Sequence, residues 1–181
     1  MTYDPRKHHR RSIRLKDYDY TQPGAYLVTL VAYNRECVFG EIVNGEMQLN
    51  QVGKIADQEW RSQAQHFPNL RLDAFVIIPN HIHAILVITD SENCGNKATH
   101  PDDLIERSPH QSRPHGPARG SLGAYIGQFK SRLTKRLGLM GNVWQRNYYE
   151  HIIRNEVEHA RILAYIQTNP QRWADDQLHI G

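Results

Sequence analysis

Apolar and polar positions along the chain fall into runs whose spacing predicts the elements. "YLVTLVAYN", Tyr26 to Asn34, is rich in β-branched and aromatic residues and follows the breaker pair Pro23-Gly24, so it predicts a first strand. "CVFGEIVNGEMQLNQVG" comes next. Its Asn44-Gly45 dipeptide, with "FGEIV" and "EMQLN" as arms, predicts a β-hairpin, because both residues accept the positive φ of a tight two-residue turn. From Gln51 to Gln65 the apolar residues Val52, Ile55, Ala56 and Trp60 recur at helical spacing with no internal proline. "LRLDAFVII" and "HIHAILVI" are strand-like runs split by Pro79-Asn80, which predicts a hairpin at the centre of a sheet.

Periodicity is lost from Thr89 to Gly120, where Pro101, Pro109, Pro114 and Pro117 interrupt a stretch rich in Gly, His and Ser. A long mobile loop is expected there, at about residues 90–120. Helical spacing returns from Ser121 to Leu137, with Leu122, Tyr125, Ile126, Phe129, Leu133 and Leu137 on one side. The other side carries Lys130, Arg132, Lys135 and Arg136 with no acid to offset them, and predicts a basic surface. "VWQRNYYEHII" predicts a further strand with an aromatic cluster. A final helix is expected from Asn155, which stands three residues before Glu158 as in a capping box, and Pro170 marks its end. The order of strand, hairpin, helix, two strands, loop, helix, strand and helix predicts an α+β fold, a ferredoxin-like sandwich in which helices pack on an antiparallel sheet. Residues 1–20 read as a basic arm ahead of a single domain, 21–181.

The 181 residues, 39% hydrophobic and 23% charged, suit one globular domain with a real core. Runs such as "FVII" and "AILVI" are far shorter than the roughly 20 residues that cross a bilayer, and the basic N-terminus lacks an apolar signal segment, so a cytoplasmic protein without a membrane partner is expected. Cys37 and Cys94 have no CxxC spacing, which argues against a zinc or redox pair. Net charge is only +3, but Arg6, Lys7, Arg10, Arg11, Arg14 and Lys16 crowd a segment without an acid. Such an arm can neutralise phosphates, although a solvated terminus has the same composition.

Two features carry candidate chemistry. Alternate residues of a strand share a face, so His81 and His83 project side by side about 6 to 7 Å apart, close enough to share one cation. Their face continues with Ile85 and Val87, while Ile82, Ala84, Leu86 and Ile88 take the other. Strand-end histidines satisfied by a carbonyl or water give the same pattern, so more ligands are needed. On the last helix, at 100° per residue, Glu158, Arg161 and Asn169 fall within about 40° of Tyr165. Val157, Ala160, Leu163 and Ala164 are expected to form the opposite, apolar side. A half-exposed surface tyrosine fits this spacing too. Together the histidine pair and Tyr-x-x-x-Asn suggest phosphoryl transfer on nucleic acid, with a divalent ion polarising the phosphate and a phenol attacking phosphorus.

At these residues the chain resembles the single-tyrosine HUH transposases of the insertion-sequence-200-like group, in particular the REP-associated tyrosine transposases. The resemblance is carried by "RRSIRLKDYDYTQPGAYLVTL", "NRECVFGEI", "FVIIPNHIHAILVI", "GSLGAYIGQFKSRLTKRL" and "VWQRNYYEHIIRNEVEHARILAYIQTNP", most of the chain outside the Pro-rich loop. It implies that His81 and His83 ligate Mg2+ or Mn2+ and that Tyr165 is the nucleophile. Relatives often carry Gln four residues after the tyrosine as a third ligand; here that position is Asn169, one methylene shorter. Glu150 and His151 are further possible neighbours. The implied substrate is single-stranded DNA with a REP-like hairpin, joined transiently to Tyr165 through a 5′ phosphate. Arg10, Arg11, Arg14, Lys16, Lys130, Arg132, Lys135 and Arg136 are then candidate phosphate contacts, with Trp144, Tyr148 and Tyr149 as candidate stacking platforms. Two other readings stay open: a domesticated hairpin-binding module with little catalysis, and a metal-dependent phosphodiesterase that uses water. The resemblance is compatible with a monomer or a homodimer.

Overall fold

The computed structural model describes residues 15, 18–90, 117–138 and 143–179. Among these described residues, six strands and three helices form in the order β1 (Gly24–Val31), β2 (Gly40–Val43), β3 (Glu46–Leu49), α1 (Gln51–His66), β4 (Leu70–Ile78), β5 (His81–Ile88), α2 (Leu122–Arg136), β6 (Tyr149–Ile153) and α3 (Glu156–Thr168). β2 and β3 pair only with each other, through the turn in which Asn44 (φ 53°) and Gly45 (φ 78°) both take the left-handed conformation that their dipeptide favours. The other four strands form one sheet in the order β4-β5-β1-β6, with every neighbouring pair antiparallel. With the hairpin set aside, the chain runs β-α-β-β-α-β, the ferredoxin-like arrangement.

Period-2 alternation in the sheet sorts side chains into two layers. Tyr26, Val28, Leu30, Ile82, Ala84, Leu86 and Ile88 pack with Trp60 of α1 and Phe129 of α2 in the main core. Ile85 and Ile153 point the other way and meet Ile162 and Ile166 of α3. The sheet is therefore covered on both sides, and α3 closes on the face that carries His81 and His83. α1 is capped by the Asn50 side chain, which accepts from Gly53 N, and α2 by Ser121, which accepts from Ala124 N. Gly53 is required by contact as well, because a Cβ there would lie 2.1 Å from Phe39 O.

Several expectations are corrected. β5 is interior but β4 is an edge strand, where the exposed Arg71 and Asp73 and the register shift between Leu72 and Ala74 suit a border with solvent. The apolar side assigned to the last helix is wrong: Val157 is 82% exposed, and the helix buries Ile162 and Ile166 instead. Apolar residues occur almost all round α3, so spacing alone does not single out a face. Strand β6 starts only at Tyr149, and Trp144 is a core residue, 8% exposed, with ring centroids 5.4 Å from Phe39 and 5.5 Å from Phe129. It cannot serve as an open stacking platform. The basic side of α2 is not uncompensated either, because Glu59 of α1 pairs with Arg132 at 3.0 Å and Arg136 at 2.9 Å. No helix among the described residues is long and apolar enough to cross a membrane.

Candidate active site

β5 begins directly after the Pro79-Asn80 turn, and this places His81 and His83 at the strand end where α3 and the turn after it converge. Thr29, opposite His83 on β1, and Tyr149, opposite Thr29 on β6, extend the row across the sheet. Tyr165 reaches down from α3, and Asn169 follows as its C-cap. Pro170 ends the helix and starts a 3-10 turn, Pro170–Asp175, that brings Asp176 back over the histidines. Thr29, His83, Tyr149, Tyr165, Arg172 and Asp176 line a groove of about 610 Å³.

Hydrogen bonds fix the imidazoles. Asn80 Nδ2 donates to Arg35 O at 3.0 Å and to Leu178 O at 2.8 Å, so its Oδ1 faces His81 Nδ1 at 2.7 Å. An amide oxygen only accepts, so His81 carries its proton on Nδ1 and presents a lone pair at Nε2. His81 Nε2 lies 3.0 Å from His83 Nε2, and His83 Nδ1 lies 2.8 Å from Thr29 Oγ1. The threonine hydroxyl can donate or accept, which gives His83 two arrangements. With its proton on Nε2, the ring donates to His81 and closes the pair. With its proton on Nδ1, given to Thr29, both Nε2 lone pairs face one point, the arrangement that holds a cation.

Asp176 completes a cluster in which one ligand atom each from His81, His83 and Asp176 lies within 4.8 Å of the others. Asp176 Oδ2 is 3.9 Å from His81 Nε2, and Oδ1 accepts from Leu178 N at 2.7 Å. Asn169, 2% exposed, donates from Nδ2 to Asp176 Oδ2 at 3.3 Å, while its buried Oδ1 has no hydrogen-bond partner. Asn169 Oδ1 is thus a buried carbonyl oxygen left unpaired on a residue that lines the same groove as His83 and Asp176, the kind of atom that can add to a cation's donor set. Tyr165 Oη lies 3.1 Å from His83 Nε2 and 3.5 Å from Asp176 Oδ2.

Electrostatics keep these groups in defined protonation states. Burial lowers His81 to about 4, against a smaller upward pull from Asp176. Burial, then His81, lowers His83 to about 3, again opposed by Asp176. Both are neutral at pH 7 and available as ligands. Burial raises Tyr165, as does Asp176, while Asn169 and Arg172 pull it down. The phenol is thus protonated at neutral pH and needs a proton acceptor to become a nucleophile.

The structure brings together His81, His83, Tyr165 and Asn169, and puts Tyr149 on the groove wall, 53% exposed. Glu150 pairs in register with Val28 and so faces the α1/α2 side, away from the cluster. His151 is occupied by Glu158 at 2.7 Å. Lys130 donates to Gln145 O and Asn147 O, each at 2.9 Å, and is held over the Trp144 ring; burial lowers it to about 8. Tyr148 packs against the main core, and Lys135 is exposed on α2. Arg10, Arg11, Arg14 and Lys16 lie outside the described residues, as does most of the 90–120 segment. Sequence reasoning missed Thr29, Asn80, Arg172 and Asp176. The position of Asn80 immediately before His81 was a usable signal; Asp176 gave none.

No protein-family model matches the chain. A Haemophilus influenzae protein described as "Uncharacterized protein" is 41% identical over 181 residues, spanning 98% of this chain and 97% of its own length. A second protein of that organism, described as "Putative REP-associated tyrosine transposase", is 26% identical over 84% of this chain and 73% of its own. Among solved structures, a REP-associated tyrosine transposase bound to a REP hairpin superposes with a TM-score of 0.59 at 18% identity, over 90% of this chain and 74% of that one.

Proposed function

We propose that the chain is a REP-associated tyrosine transposase, which nicks single-stranded DNA beside a REP-like hairpin and rejoins it through a phosphotyrosine at Tyr165. The observation that carries this reading is the phenol of Tyr165 on the paired imidazoles, 3.1 Å from His83 Nε2, itself 3.0 Å from His81 Nε2. A packing tyrosine has no need of two neutral, oriented histidines and a carboxylate.

In this mechanism the Tyr165 hydroxyl loses its proton and its oxygen attacks phosphorus. The P–O3′ bond breaks, a 3′-hydroxyl leaves, and the 5′ phosphate stays on Tyr165. The phenolic proton leaves to water and the departing O3′ takes one up from water; Asp176 Oδ2, 3.5 Å from the phenol, can relay that proton only while it is not holding the ion. A returning 3′-hydroxyl reverses the step, so cutting and joining need no ATP. His81, His83 and Asp176 would hold the divalent ion, with Asn169 Oδ1 as a fourth candidate donor. Bound there, Mg2+ or Mn2+ would supply polarisation of the scissile phosphate; two imidazoles in the donor set favour Mn2+ over Mg2+. Asn80 holds His81 in the ligating tautomer, and Thr29 Oγ1 can accept from His83 Nδ1 in the arrangement that would hold the ion. Tyr165 lies against the His83 of its own chain, an arrangement that suits attack in cis.

A gel assay with an end-labelled hairpin oligonucleotide and Mn2+ tests the reading. Wild type should yield a protein-linked DNA band that Tyr165→Phe abolishes and His81→Ala reduces by about 10²-fold or more. Binding without an adduct would favour a hairpin-binding module, and nicking without an adduct a phosphodiesterase that uses water.

A further inference from the structure

Arg172 belongs to the groove but to none of the roles above. It sits in the 3-10 turn Pro170–Asp175, between Asn169 and Asp176, and lines the groove with Tyr165, His83 and Tyr149. Its position is held from both sides. Pro170 restricts the chain at the start of the turn, Arg172 N donates to Asn169 O at 3.0 Å, and Asp176 beyond it is pinned by Leu178 N at 2.7 Å.

The charge of the groove sets up the argument. Its lining holds the acids Asp175 and Asp176, a neutral His83, and Arg172 as its one cation among the described residues. A phosphodiester entering there brings a further negative charge, and attack by a phenolate drives that charge onto the non-bridging oxygens. A divalent ion held by the histidines would receive part of it, and a cationic side chain on the same wall can receive the rest. Elsewhere in the molecule Arg61, Arg132 and Arg136 are spent on Asp57 and Glu59. The Arg172 side chain is exposed and, among the described residues, forms no hydrogen bond or ion pair. A guanidinium offers a planar fork that matches two phosphate oxygens at once, and its charge does not depend on pH.

We propose that Arg172 is a catalytic residue that grips the non-bridging oxygens of the scissile phosphate while Tyr165 attacks. This rests on the transposase reading of the same groove. No bond to Arg172 forms or breaks; it stabilises charge and orients phosphorus toward Oη.

The full chain with Mn2+ provides the test, using the hairpin oligonucleotide and three proteins: wild type, Arg172→Ala and Arg172→Lys. Adduct formation should fall about 10²-fold or more in Arg172→Ala and less in Arg172→Lys, which keeps the charge without the fork. Guanidinium added to Arg172→Ala at non-denaturing concentration should restore part of the rate, whereas NaCl of equal ionic strength should not. Mn2+ affinity, read by electron paramagnetic resonance without DNA, should stay within about 3-fold of wild type, since Arg172 is not a ligand. An unchanged adduct rate in Arg172→Ala, a loss that guanidinium leaves untouched, or a parallel loss of Mn2+ affinity would overturn the assignment. A wild type that forms no adduct would instead overturn the reading of Tyr165, and this inference with it.

Discussion

At the scale of single residues, His81 depends on its neighbour Asn80, which lies outside the proposed ligand set. Asn80 uses both protons of its amide on backbone carbonyls, and this commits its oxygen to His81 Nδ1. Asn80→Ala should therefore weaken Mn2+ binding by about 10- to 100-fold in a titration followed by electron paramagnetic resonance, with both histidines still present. Proton linkage gives a second prediction. His81 and His83 fall from 6.5 to about 4 and about 3 on folding, so between about pH 6.5 and 4 the unfolded chain binds protons that the native chain does not. Stability of the metal-free protein should be highest above that window and fall as pH drops through it, by up to about 1.4 kcal/mol per pH unit for each imidazole. Thermal unfolding from pH 7 to 4 measures it, and the slope should shrink in a His81→Gln/His83→Gln variant. The histidines were legible in the sequence because strand alternation alone puts i and i+2 on one face. Asp176 was not, since only the 3-10 turn after Pro170 carries it back, eleven residues past Tyr165.

Among the elements, α3 decides whether Tyr165 meets the histidines. Ile162 and Ile166 seat it on Ile85 and Ile153, and His159 to Asp73 and His151 to Glu158 tie it to the sheet. Ile166→Ala should cost about 2 to 4 kcal/mol in denaturant unfolding and lower adduct formation, through a looser Tyr165. Asn155 caps this helix as the sequence predicted, accepting from Glu158 N at 2.8 Å. The Glu158 carboxylate, however, reaches Arg154 N at 2.8 Å instead of closing the box on Asn155. The same division runs through the fold. The Asn44-Gly45 hairpin, α1, α2 and the β4-β5 turn were readable because short-range chemistry fixes them. The buried face of α3 was not, because tertiary contact with the sheet picks one arc from a helix that is apolar nearly all round.

For the whole molecule, charge is arranged differently from what the sequence suggested. Arg132 and Arg136 brace α2 against α1 through Glu59, and Lys130 is held on two carbonyls, so much of the cationic side of α2 serves the scaffold. Glu59 was invisible as a partner because it lies 73 and 77 residues away along the chain. What the fold achieves is the meeting of three distant pieces, the start of β5, the middle of α3 and the turn beyond it, around one groove. The central claim is that this meeting makes Tyr165 a nucleophile toward DNA. Its most direct test is mass spectrometry of a proteolysed reaction between the Mn2+-loaded chain and a hairpin oligonucleotide. The account predicts a 5′-phosphonucleotide on the peptide containing Tyr165 and on no other. A modified peptide carrying Tyr148 or Tyr149 instead, or cleaved DNA with no modified peptide, would contradict it.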